Sequence, residues 1–244
     1  KMAKGEGTKR KRSMVDDGRK KKRARTSQAL VKMSSLPTFS MGKGPRKVWM
    51  RYVTTISMQP PSSGACDFHL FRANSIFDPD QTGTGHQPYG HDEWAAMYNH
   101  YAVTASKIHV AAVNDSTTAS YDVGTLLSLS LDDGVAARST DTAMVQRLEA
   151  GNVAWQLTSM DVGGHNAARS LKISFNAKKF YSVKDPIGDS RLSAQFGLNP
   201  SEEAWYQLNY GAAATATAGI GRIALIVTID YEVVLSEPKR LNQS

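Results

Sequence analysis

Two groups of residues have the types and spacing to do chemistry. The first is basic: Lys9, Arg10, Lys11 and Arg12, then, past a spacer holding Asp16 and Asp17, Arg19, Lys20, Lys21, Lys22, Arg23 and Arg25. Each Lys or Arg that meets a phosphate displaces condensed counterions, so clusters this dense bind nucleic acid tightly, with steep salt dependence and without reading bases. Short Lys/Arg-rich segments are also what nuclear import receptors recognise, so Lys9, Arg10, Lys11, Arg12, Lys20, Lys21, Lys22, Arg23 and Arg25 double as a nuclear localisation signal. The second group is polar: Asp78, Asp80, His86, His91, Asp92, Glu93 and His100. These are ligand types for zinc or calcium, but their spacings match no established metal motif. The expectation is no resident metal and no cofactor, with these side chains satisfying backbone groups or a subunit neighbour in a long surface loop.

Catalytic signatures are absent from the sequence. It contains no G-x-x-x-x-G-K-[ST], G-x-S-x-G, H-E-x-x-H or C-x-x-C, so the common phosphate-loop, esterase, zincin and redox chemistries have no carrier. Gly83-Thr84-Gly85 precedes no helix start at phosphate-cradle spacing and reads as a flexible turn. Asp230 follows the apolar run Ala224 to Ile229 as a metal-binding Asp follows a strand, but without a phosphate loop that run is a core strand. Cys66, the one cysteine, excludes an intrachain disulfide framework and reads as a small buried hydrophobe. Trp49, Trp94, Trp155 and Trp205 do not interleave with basic residues, so they are expected as core or interface anchors. No catalytic residue is assigned, and the expectation is a non-enzyme.

The elements that must position these groups fall into two parts, divided by charge. The chain has 244 residues, 30 Lys plus Arg and 22 Asp plus Glu. Residues 1–47 carry 16 basic and 3 acidic side chains, a net of +13, leaving 14 against 19, a net of −5, for residues 48–244. Dense like charge with few large apolar residues cannot offset chain entropy, which predicts a disordered arm over residues 1 to about 35 and a linker around Gly42, Gly44 and Pro45. The acidic body is then a poor polyanion binder, and the arm must do that work. No apolar run approaches the about 20 residues of a membrane span, and no apolar segment follows the basic start as in a secretory signal, so a soluble protein without membrane insertion is expected.

From Lys47 onward, period-2 alternation with Gly, Pro, Asn, Asp and Ser punctuation predicts eight strands, over residues 47–59, 66–73, 101–114, 121–131, 153–160, 170–175, 204–210 and 222–235. In the first, Val48, Met50, Tyr52, Ile56 and Met58 share a face. In the last, Ile223, Leu225, Val227, Ile229, Tyr231 and Val233 do. Leu127, Leu129 and Leu131 alternate with Ser128 and Ser130. Helical pattern is confined to residues 92–99 and 140–150. Eight strands, few helices and no βαβ alternation indicate an all-β antiparallel two-sheet sandwich of the jelly-roll type behind a basic N-terminal arm.

Several segments resemble the capsid proteins of small circular single-stranded DNA viruses that encode a replication initiator, the circovirus-like group. They are Phe71-Arg72-Ala73-Asn74-Ser75-Ile76-Phe77-Asp78-Pro79-Asp80, Gly85-His86-Gln87-Pro88-Tyr89-Gly90, then Trp94 and Met97-Tyr98-Asn99-His100-Tyr101-Ala102-Val103. Weaker echoes are Lys178-Lys179-Phe180-Tyr181-Ser182-Val183-Lys184-Asp185, Val227-Thr228-Ile229-Asp230-Tyr231-Glu232-Val233 with Glu237-Pro238, and the Arg/Lys-rich N-terminus. The resemblance implies a small icosahedral shell of roughly 60 self-associating copies. It also implies arms directed onto a single-stranded genome, DNA in that family, with a host import receptor as partner and the virion and host nucleus as locations. On that basis the long connections 74–101 and 134–150 are expected at subunit interfaces.

Two other classes fit less well. A nuclear nucleic-acid-binding module, such as a chromatin or ribosomal accessory protein, would share the basic tail, but a body of net −5 repels RNA. An enzyme on a jelly-roll scaffold, such as a cupin-like metal oxygenase, would need His86, His91 and His100 to converge.

Overall fold

Alternation of apolar and polar side chains builds most of the strands. In β1 (Arg46–Met58), Val48, Met50, Tyr52 and Met58 are buried while Lys47, Trp49, Arg51 and Val53 face out. In β9 (Ile223–Pro238), every second residue from Ile223 to Val233 is buried. Between them lie β2 (Asp67–Arg72), α1 (His91–Met97), β3 (Tyr98–Asn114), β4 (Thr125–Asp132), α2 (Asp141–Arg147), β5 (Val153–Leu157), β6 (Arg169–Asn176), α3 (Ala177–Phe180), β7 (Ser193–Gln195) and β8 (Trp205–Ala212). This computed structural model describes residues 44–61, 64–114, 124–135, 138–158, 169–213 and 220–239. The basic clusters at residues 9–12 and 19–25 lie outside the described residues.

All strand pairs are antiparallel. One sheet has the order β1-β9-β3-β6, with the short β7 also on β3; the other has the order β2-β8-β4-β5. Leaving β7 aside, first and last strands pair, second and next-to-last pair, and the remainder nest between them, which is the doubled Greek key of a jelly roll. The eight strands expected from periodicity are all present. The ninth, β7, is three residues long and too short to leave a periodic signal. Strand β3 starts three residues earlier than expected because Tyr98 to Ala102 pair with β9 and β7.

The sheets face each other across a core in which Tyr52, Ile108, Val227, Ile229, Tyr231 and Val233 meet Phe71, Leu127, Leu129, Tyr206 and Leu208. Phenol groups in that gap need partners, because an unpaired buried hydroxyl loses its hydration without return. Tyr231 donates to the Arg72 carbonyl at 2.8 Å, and Tyr101 donates to the Leu198 carbonyl at 2.8 Å. Tyr206 pairs with Ser106 Oγ at 2.9 Å and accepts from the Phe175 amide at 3.1 Å.

The Ser128 and Ser130 face of β4 is not a wet face. Both serines are buried, as are Gln207 and Asn209 on β8, because α2 and the segment before it cover this sheet. Arg138 donates to Ser130 Oγ at 3.1 Å and Gln207 Oε1 at 2.7 Å, and its carbonyl accepts from Asn209 at 3.1 Å. The alternation marks which side faces the opposite sheet, while a covering layer buries the other side. Gly211 is where that layer comes closest, since a Cβ there would sit 2.5 Å from Asp141 Oδ1.

Leu129, at the centre of the core, should lose about 3 kcal/mol of stability on replacement by Ala, against less than about 0.5 kcal/mol for Thr55→Ala on the exposed face, read from chemical-denaturation midpoints. Burial pushes the Tyr101 phenol up to about 12 and raises Tyr206, Tyr210 and Tyr231 as well. Each therefore adds stability that is complete below the ordinary phenol value near 10 and is lost as pH climbs through the folded values. Alkaline titration followed by phenolate absorbance should show these tyrosines ionising only together with loss of the fold.

Candidate nucleic-acid and subunit interface

The chain enters the sandwich at Arg46, and this entry point is fixed. The Arg46 guanidinium lies over the Trp94 ring of α1, 5.4 Å from its centroid, a cation–π contact.

The long connection between β2 and β3 closes the side of the sandwich where both sheets end. The Tyr89 amide donates to the Arg51 carbonyl of β1 at 3.3 Å, and the Gln81 amide donates to the Leu70 carbonyl of β2 at 3.1 Å. His86 packs on Tyr52, with centroids 4.8 Å apart. Unpaired strand edges invite association with other chains, and this loop occupies part of both. Its start is bolted down by Asn74, which donates to the Glu202 carbonyl at 2.7 Å and accepts from the Ala204 amide at 2.9 Å. Ser75 donates to Asn199 Oδ1 at 2.7 Å. Arg72 joins these parts: it donates to Glu203 at 2.8 Å, to the Asp78 carbonyl at 2.8 Å and carboxylate at 3.0 Å, and stacks on Trp205 at 4.6 Å. The segment from Phe71 to Asp80 is therefore structural in its contacts.

The polar set separates into pairs. His69 Nε2 lies 3.0 Å from Asp80, which also accepts from the Thr82 amide and hydroxyl at 2.9 and 2.8 Å. His91 Nδ1 sits 2.9 Å from Asp92, and His100 Nδ1 sits 3.0 Å from Glu237. Among the described residues, no three His, Cys, Asp or Glu side chains converge as metal ligands. His69, unmarked in the sequence, is the actual partner of Asp80; nothing in their spacing signals it, because the contact depends on the loop folding back along β2. Cys66 is buried, donates to the Arg138 carbonyl, and is pushed up to about 11 by burial. Of the tryptophans, Trp205 is in the core, whereas Trp49 is 66% and Trp155 52% exposed. Tyr89 is 94% exposed.

The outward face of the β1-β9-β3-β6 sheet holds basic residues that sequence alone did not group. Register places Arg51, Asp230, Lys107 and Ser174 in one row across the four strands, and Val53, Thr228, His109 and Lys172 in the next. Arg51 pairs with Asp230 at 2.5 Å and Lys47 with Glu232 at 2.7 Å. Period-2 reading puts Lys107, His109 and Lys172 outward, but only the cross-strand register brings them together.

No protein-family model and no curated protein sequence matches the chain. Among solved structures it is similar to Desmodium yellow mottle tymovirus, at 14% identity and TM-score 0.39, covering 86% of this chain and 98% of that one. It is also similar to the semi-empty virus-like particle of the nodavirus of the giant freshwater prawn Macrobrachium rosenbergii, at 10% and 0.45, covering 84% and 100%. A third is the decameric BFDV capsid protein, at 7% and 0.37, covering 78% and 99%. Likeness at these values carries no argument about function, which rests on the chain's own residues.

With its pKa raised to about 11, Cys66 holds about a thousandth of its population as thiolate at pH 8. Labelling by a thiol-specific alkylating agent should be negligible in the native protein and complete in denaturant; fast native labelling would contradict the burial described.

Proposed function

We propose that this chain is a viral capsid subunit. It self-assembles through its jelly-roll body and packages single-stranded nucleic acid, DNA by the resemblance of its sequence, through the basic residues of the arm. The observation that carries this reading is the division of charge: +13 over residues 1–47 against −5 over the rest. A body of net negative charge, joined to an arm that condenses polyanions, suits a container whose wall carries most of the structure and whose arm carries most of the binding. If roughly 60 arms each bring about +13, they neutralise on the order of 780 phosphates. Lys9, Arg10, Lys11, Arg12, Arg19, Lys20, Lys21, Lys22, Arg23 and Arg25 make those contacts, and the same clusters address the chain to the host nucleus through an import receptor. The exposed Tyr89, Trp155 and Leu198 supply apolar area of the kind that anchors subunit contacts.

Size-exclusion chromatography with light scattering and ultraviolet absorbance tests this directly. The full chain should elute as uniform particles far larger than its 26.6 kDa, with absorbance dominated by nucleic acid. Deleting residues 1–25, which removes twelve Lys and Arg, should leave particles that no longer carry that absorbance. A species at the subunit mass or a small multiple, at low and moderate salt, would sink the capsid assignment.

A further inference from the structure

We propose that the outward face of the β1-β9-β3-β6 sheet, centred on Lys107, His109 and Lys172 with Trp49 at its rim, is a second binding surface for the phosphate backbone of single-stranded nucleic acid. The proposal rests on the packaging function above and assigns part of that work to the body.

The acidic body has an uneven surface. Among the described residues only two carboxylates, Asp230 and Glu232, lie on this face, and they are held by Arg51 and Lys47. Lys107 shares Asp230 with Arg51 across the row, and Lys172 has no carboxylate opposite it, since its register partner is His109. Lys107 and Lys172 are exposed, and among the described residues neither has an ion pair within 4.0 Å. They lie diagonally across β3 and β6, about 7 to 8 Å apart. Partial burial, and after it these two ammonium groups, hold the His109 imidazole below its usual value. Such a face is stabilised when an anion arrives, and a repeating anion satisfies several of its members at once.

Two features select nucleic acid over other polyanions. Trp49 stands exposed on the same face, opposite Glu232, two strands and one row from Lys107, or about 12 Å. A cationic track with an aromatic plane beside it is the arrangement that holds single strands, because every base offers a face for stacking. Secondly, β1 is the first strand of this sheet, and the twelve leading basic residues precede it in the sequence.

The test uses the full chain, a fluorescent oligothymidylate and a salt series. Removing one phosphate-binding cation lowers the slope of log affinity against log salt by about 0.7 for a single strand. Lys107→Ala with Lys172→Ala should lower the slope by about 1.4 and weaken binding about tenfold at moderate salt. Lys178→Ala with Lys184→Ala, the same charge change on exposed positions off this face, should leave the slope unchanged. An unchanged slope in the first pair, or equal decreases in both, would overturn the proposal. So would a first pair that no longer binds heparin but keeps the oligonucleotide, which would assign the face to a sulfated polysaccharide. Independently, photo-crosslinking of nucleic acid that co-purifies with the unmodified chain should leave nucleotide adducts on peptides carrying Trp49 or His109; adducts confined to residues 1–45 would again refute it. Failure of the packaging function itself looks different: deletion of residues 1–25 would then leave oligonucleotide affinity intact.

Discussion

Backbone pairing by β9 is the constraint from which the other elements take their places. Its sixteen residues pair with β1 along one edge and with β3 along the other, so the first strand, the last strand and the long third strand share one register. That register turns Ile223, Leu225, Val227, Ile229, Tyr231 and Val233 inward together, and slipping it by one residue would expose all of them. It also sets the outer face, because Asp230 and Glu232 can pair with Arg51 and Lys47 only in this alignment. The second sheet is then needed to cover the apolar side, and tyrosines of both sheets pair across the gap, Tyr206 with Ser106 and Tyr231 with the Arg72 carbonyl.

The connections carry as much of the structure as the strands do. Residues 73–81 run back along β2 and are fastened through Arg72, Asn74 and Ser75 to the segment before β8. The layer with α2 hides the polar side of the other sheet. In both, polar side chains serve as fasteners: Asp80, a candidate ligand in the sequence, turns its own loop, and Asp132 receives Arg138 and Arg147. Clustered polar groups have this use in long connections, since a backbone segment without regular pairing must find its hydrogen bonds in side chains.

Period-2 alternation made β1 and β9 legible, with the correct inward residues, because each has one face on the core and one in solvent. At β4 the alternation of Leu127, Leu129 and Leu131 with Ser128 and Ser130 marks the core side but says nothing of the covering layer, coded elsewhere in the chain, that buries the serines. The charge division between arm and body was plain from counting. The grouping of Lys107, His109 and Lys172 was not, since residues 107 and 172 become neighbours only through the pairing of β3 with β6. The pairing of His69 with Asp80 was invisible for the same reason: eleven residues of separation say nothing until the loop path is known.

The β1–β9 pairing has a consequence in time. Among the described residues, β1 has no strand neighbour other than β9, and some 165 residues separate Met58 from Ile223. During synthesis the first strand must wait, unpaired, until nearly the whole body has left the ribosome, since contacts this distant in sequence close last. The basic residues at the start of the sequence are made before any of it. Translation order therefore ties completion of the fold to the emergence of the strand that β1 awaits.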